Sequence, residues 1–179
     1  MKLTDLQEVA RIASSYFHHC VIGGGAPRDA FLGGPIKDID LFVDTRGLDV
    51  QTYEELAYQF TKKLHGHAQP SDTASIEGPG TMHIDAAGIP QIELLPIERC
   101  AFTDVYDYDF GLSQILMTAK GTLRTEAFDS DVRANTITYM GDESWDAKGR
   151  ERSAKRLLRI RKKYPSFFPV NCEVLGVGE

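Results

Sequence analysis

No apolar run in this chain of 179 residues is long enough to cross a bilayer. The first residues also lack the basic, apolar and small-residue zones of an export signal. A cytoplasmic protein with no membrane partner is therefore expected. Cysteine is scarce: Cys20, Cys100 and Cys172 lie far apart and form no C-x-x-C pair. That excludes a disulfide-built scaffold and predicts free thiols in a reducing compartment. Internal repeats and low-complexity segments are absent as well, which excludes solenoids and linker arrays. Positive charge is in deficit, with 20 Lys+Arg against 26 Asp+Glu and a net charge of -6. The molecule as a whole is then no general nucleic-acid binder. What remains is a chain with 42% apolar residues, enough for one cored domain and a small appendage.

The stretch Val21 to Val43 carries the densest signal. It reads as a strand end, a glycine turn at Gly23–Gly25, a short helix over Ala26–Leu32 with Pro27 in its first turn, and a strand over 37–44. Asp38 and Asp40 are two apart on that strand, so both carboxylates point to one face while Ile39 and Leu41 point to a core. Two adjacent acids repel unless a cation lies between them. A hard divalent ion such as Mg²⁺, with Mn²⁺ as the alternative, takes carboxylate oxygens and completes its shell with water and substrate phosphates. The glycines allow a backbone to approach phosphate closely, and Arg28 supplies a cation for it. A phosphate cradle beside metal-binding carboxylates points to nucleotidyl transfer.

Around this stretch, the spacing predicts a helix over 3–18, opened by a Thr4–Gln7 capping box and packed through Leu6, Val9, Ala10, Ile12 and Ala13. A second helix is predicted over 50–64, with Tyr53, Leu56, Ala57, Phe60 and Leu64 inward. His65 and His67 read as solvated residues at its end. A polar loop is predicted over 69–80, then a hairpin of strands 81–85 and 90–96 about Ala86-Ala87-Gly88. Glu93 is an acid in an otherwise apolar strand, and the aspartate pair upstream favours it as a third metal-linked carboxylate. Residues 113–118 and 122–128 fit either a hairpin about Lys120-Gly121 or a helix end followed by a strand. Asp129 and Asp131 read as capping or turn residues in a loop-like segment. Nine of the 20 Lys+Arg residues lie in 148–163, on a predicted helix with Ala154, Leu157, Ile160 and Tyr164 inward, ended by Pro165. Such a concentration in an acidic protein offers a surface for RNA or nucleotide.

The string Gly24-Gly25-Ala26-Pro27-Arg28-Asp29, Leu32-Gly33 and Asp38-Ile39-Asp40-Leu41 resembles the G-G-x-V-R-D…L-G…D-I-D-L signature. That signature belongs to the head domain of class II CCA-adding enzymes and bacterial poly(A) polymerases, in the DNA polymerase β-like nucleotidyltransferase superfamily. Weaker similarity continues at Gly80-Thr81-Met82, Ile92-Glu93-Leu94, Asp109-Phe110 and Arg156-Leu157-Leu158-Arg159. The resemblance implies an α+β nucleotidyltransferase fold, a mixed and mostly antiparallel sheet flanked by helices. It implies a head domain over 1–145, and a neck-like basic helix with a tail over 146–179. It also implies Asp38, Asp40 and Glu93 as catalytic carboxylates, with Asp38 and Asp40 on Mg²⁺. Gly24, Gly25, Arg28, Asp29, Arg156 and Arg159 would meet the NTP.

Departures from the family pattern shape the functional expectation. The family's double arginine before D-F is Asp107-Tyr108 here, the asparagine of that motif is Ser113, and the E-D of the neck helix is Arg152-Ser153. Base specificity therefore does not carry over. The family's body and tail have no counterpart in these residues, so a minimal stand-alone transferase is expected rather than CCA addition. The expected reaction moves an NMP from an NTP to a hydroxyl, with an RNA 3′ end favoured and pyrophosphate released. The alternatives are a non-catalytic nucleotide- or partner-binding module on the same fold, or a toxin- or antibiotic-type transferase acting on a protein or small molecule.

Overall fold

The computed structural model describes residues 1–71, 79–141 and 145–176. The chain divides into two compact units, Met1–Asp104 with Leu116–Leu123, and Val105–Ile115 with Arg124–Glu179.

The first unit is built on a seven-stranded sheet. In chain order its elements are α1 (Leu3–Ala13), β1 (Cys20–Gly23), α2 (Gly25–Phe31), β2 (Asp38–Asp44), α3 (Val50–Lys63), β3 (His67–Pro70), β4 (Met82–Ala86) and β5 (Ile89–Ile97), joined by the strands β6 (Ile115–Thr118) and β7 (Gly121–Arg124). The strand order is β3-β4-β5-β2-β1-β6-β7. The pairs β1–β2, β1–β6, β3–β4 and β4–β5 are antiparallel, whereas β2–β5 is parallel. The expected mixed, mostly antiparallel sheet is thus present.

Alternation along β2 explains why the sheet has one dry face. Ile39, Leu41 and Val43 are fully buried, while Asp38, Asp40, Phe42 and Asp44 between them are part-exposed. The dry face packs against Leu6, Val9, Ala10 and Ala13 of α1 and Tyr53, Ala57 and Phe60 of α3. Burying each large side chain stabilises the unit by about 1.5–3 kcal/mol. The Tyr53 hydroxyl donates to the Leu94 carbonyl at 3.4 Å, and burial pushes its phenol pKa up.

Local chemistry moves several element boundaries away from the sequence expectation. The first helix starts at Leu3, and the Asp5 carboxylate accepts the Lys2 N–H at 2.7 Å, in place of a Thr4–Gln7 box. Gln7 instead donates to the Ala119 carbonyl at 3.3 Å. The helix ends at Ala13, five residues short of the expected end, and turns follow. Asp49 caps α3 by accepting the Thr52 N–H at 2.8 Å. His65 leaves that helix at φ 53, and His65 and His67 are exposed. Part of the expected loop after His67 is strand β3; residues 72–78 of that loop lie outside the described residues.

The second unit contains α4 (Glu126–Ala134), β8 (Thr136–Thr138), α5 (Ala147–Lys163) and β9 (Phe168–Val170), with β8 and β9 parallel. The segment read as loop-like is therefore helix α4, capped by Thr125, which accepts the Phe128 N–H at 3.2 Å. Asp131 is 1% exposed and accepts from the Thr136 and Thr138 hydroxyls at 2.7 and 2.6 Å and the Thr138 N–H at 3.0 Å. It anchors β8 to α4, a tighter role than a turn. Helix α5 buries Ser153, Leu157 and Ile160, with Ala154 only half-buried. The tail beyond Pro165 forms β9 and a 3-10 turn over 173–175.

Candidate active site

Strand register decides which carboxylates meet. In the parallel pair β2–β5, Asp40 lies beside Glu93 and Asp38 beside Gln91. Partners in register share a sheet face, with backbones about 5 Å apart. Asp38, Asp40 and Glu93 therefore stand on the wet face of the sheet, Asp38 about 7 Å along the strand from Asp40. The same row continues in both directions. On one side Gly23 of β1 pairs with Asp40, and on the other His83 of β4 pairs with Glu93 and Gln69 of β3 with His83.

The glycine turn is shaped by Asp40. Gly24 has φ 65 and ψ -137, a conformation that favours glycine. A Cβ built there would overlap the Asp40 carboxylate Oδ2 and come within 3.2 Å of its carboxyl carbon. Only a bare Cα lets the turn and the carboxylate share that space. Helix α2 begins immediately after, and Arg28 folds back so that its Nη2 lies 3.2 Å from where a Gly25 Cβ would be. The Arg28 side chain is 9% exposed, and its Nε donates to Asp29 Oδ1 at 2.9 Å. Asp29 is thus a buried counter-charge that fixes the guanidinium. Asp38 is more open, and its Oδ2 lies 2.9 Å from Lys37 Nζ.

The donor set consists of hard oxygen atoms. Among the described residues no three His, Cys, Asp or Glu side chains are grouped so as to hold a metal ion, so Asp38, Asp40 and Glu93 do not converge on one point. Mg²⁺ is held by one or two carboxylates plus substrate phosphates rather than by an all-protein cage. The Asp40–Glu93 juxtaposition, with Asp38 on the same face, fits that mode.

Arg156 and Arg159 belong to the second unit. Arg156 Nη1 lies 2.6 Å from Asp109 Oδ1, and the Ser153 hydroxyl donates to Asp109 Oδ2 at 2.7 Å. Asp109 itself is 1% exposed. The two motif fragments Asp109-Phe110 and Arg156 to Arg159 are therefore joined by an ion pair, which gives Arg156 a structural task. Arg159 is exposed on α5.

No family model matches the sequence, and no curated protein matches it. Solved structures do. A CCA-adding enzyme in complex with CTP superposes with a TM-score of 0.70 at 18% identity, over 98% of this chain and 45% of that one. The Thermotoga maritima CCA-adding enzyme complexed with tRNA gives 0.68 at 18% identity, over 98% and 44%. A tRNA-processing enzyme in an apo form gives 0.67 at 20% identity, over 96% and 45%. The chain shares the fold of CCA-adding enzymes. It spans less than half the length of each of these three. Within that fold, the sequence singled out Asp38, Asp40, Glu93 and the glycine turn. It missed the row beyond Glu93. The β4–β5 ladder shifts register between Ile84 and Ala86, so counting back from the Gly88 turn does not place His83 opposite Glu93.

Proposed function

We propose that this protein is a metal-dependent nucleotidyltransferase that moves an NMP from an NTP to a hydroxyl, with an RNA 3′ end as the favoured acceptor. The observation that carries the reading is the juxtaposition of Asp40 with Glu93 across a parallel register, beside a glycine turn whose bare Cα faces Asp40. Gly24, Gly25 and Arg28 would lie along the triphosphate, with Asp29 holding the Arg28 guanidinium in place. Asp38 and Asp40 would hold the ion, which supplies charge neutralisation and a more acidic acceptor hydroxyl when bound. Glu93 would take the proton as the hydroxyl oxygen forms its bond to the α-phosphorus and pyrophosphate leaves. Fold neighbours solved with CTP, ATP and tRNA support the nucleotide and RNA assignments. The division into a catalytic head over 1–145 and a basic helix with tail over 146–179 belongs to the same reading. So does a cytoplasmic setting, which accords with the absence, among the described residues, of a helix able to cross a membrane.

The test is transfer of label from each of the four NTPs to total RNA in Mg²⁺ or Mn²⁺. Asp38→Ala and Asp40→Ala should each lower transfer by about 100-fold or more, since the ion is worth several kcal/mol in the transition state. Their melting temperatures should hold or rise, because like-charge repulsion is relieved. Near-wild-type transfer by either variant would refute the carboxylate assignment. NTP binding without any transfer would instead favour the non-catalytic binding module.

A further inference from the structure

The row across the sheet has two ends. At one end lie Gly23 and the turn that leads to Gly24, Gly25 and Arg28; at the other lies His83, beyond Glu93. If the triphosphate occupies the glycine and Arg28 side of Asp40, the acceptor must approach from the Glu93 side. In-line displacement puts attacking and leaving oxygens on opposite sides of the phosphorus. His83 is the next residue on that side, about 5 Å of sheet from Glu93. Its neighbours on β4, Met82 and Ile84, are buried and point to the core, so the imidazole stands on the carboxylate face.

One atom of this ring needs explaining. His83 Nδ1 is buried and has no hydrogen-bond partner among the described residues. Buried polar atoms are nearly always bonded, and a persistent exception marks strain or function. The residue is only half-buried, which leaves another part of the ring accessible.

We propose that His83 is an acceptor-reading residue: its accessible ring edge hydrogen-bonds the 2′-hydroxyl of the terminal ribose whose 3′-hydroxyl attacks. The proposal rests on the nucleotidyl-transfer reading above and names its acceptor class as RNA. A 2′-hydroxyl is the group by which a protein tells RNA from DNA at a given position. A single neutral hydrogen bond of this kind gives about a three- to tenfold preference.

The experiment uses the full chain with a 5′-labelled RNA oligonucleotide pool of random 3′ sequence. A matched pool ends in one 2′-deoxynucleotide that keeps its 3′-hydroxyl. Wild-type protein should extend the all-ribose pool with about a three- to tenfold higher kcat/KM. His83→Ala should abolish that preference while KM for the NTP stays unchanged. His83→Gln, which keeps a polar atom near the accessible Nε2 edge, should retain part of it. Melting temperatures of both variants should match or exceed that of wild type, since each removes the buried ring nitrogen. A preference that survives in His83→Ala, or is absent from an active wild type, overturns the His83 assignment alone. Failure of wild-type protein to extend either pool overturns the underlying transfer reading, and the His83 proposal with it.

Discussion

Asp29 shows how far a motif letter is from a role. The resemblance places it among nucleotide-binding residues; in the structure its carboxylate is 6% exposed and accepts from Arg28, itself 9% exposed. Its direct task is to hold a buried guanidinium in place. Removing one partner of a buried pair costs up to about 3–5 kcal/mol. Asp29→Ala should therefore lower unfolding free energy by up to that amount in urea titrations and weaken NTP binding in the same preparation. Asp29→Asn keeps an acceptor oxygen and should lose less of both. A variant with unchanged stability and reduced NTP affinity would instead mean that Asp29 touches the nucleotide itself. Gly24 makes the complementary point. Its need for glycine comes from the Asp40 carboxylate sixteen positions on, a contact that three glycines in a row do not announce.

At the scale of elements, legibility follows burial pattern. Strand β2 was readable because strict alternation of acids with Ile39, Leu41 and Val43 has one physical solution. Strand β3 was not, because three of its four residues are exposed and no apolar alternation marks it. Helix α4 was hidden for a similar reason. Its buried side chains, Phe128 and Asp131, include an acid whose partners lie on the following strand. The end of β2 carries its own testable chemistry. Asp44 accepts from Arg46 Nε at 2.9 Å, and that bond holds its carboxyl pKa below the usual range. A depressed folded-state pKa contributes stability that is fully present above the unfolded value of about 4 and is lost as pH falls through the folded value. Asp44→Asn should thus be less stable than wild type near neutrality. With Arg46 largely exposed, the gap should stay within about 1 kcal/mol. It should close progressively below about pH 4. Thermal melts of both proteins from neutral pH into acid check this; a gap that persists in acid would assign the loss to packing rather than charge.

The whole molecule is acidic, yet nine of its 20 Lys+Arg residues lie in one segment, 148–163, with Glu151 as the single acid among them. Helix α5 spends part of that charge internally: Arg156 holds Asp109, and Lys155 Nζ lies 2.7 Å from Glu151. Arg152 and Arg159 are exposed and two helical turns apart on one face. An acidic chain meets a polyanion only where local cations outweigh its general repulsion, so binding of RNA would concentrate on such residues. Each phosphate contact releases counterion and adds about 0.7 to the steepness of binding against salt for a single strand. The double variant Arg152→Glu, Arg159→Glu should therefore weaken RNA binding at low salt, and flatten the log–log salt dependence by about 1–2. Folding should be spared, because neither residue is buried. The binding isotherms belong at several salt concentrations, with NTP affinity measured alongside. A loss of NTP affinity equal to the loss of RNA affinity would place these arginines at the nucleotide. An unchanged salt slope would remove α5 from the RNA interface altogether.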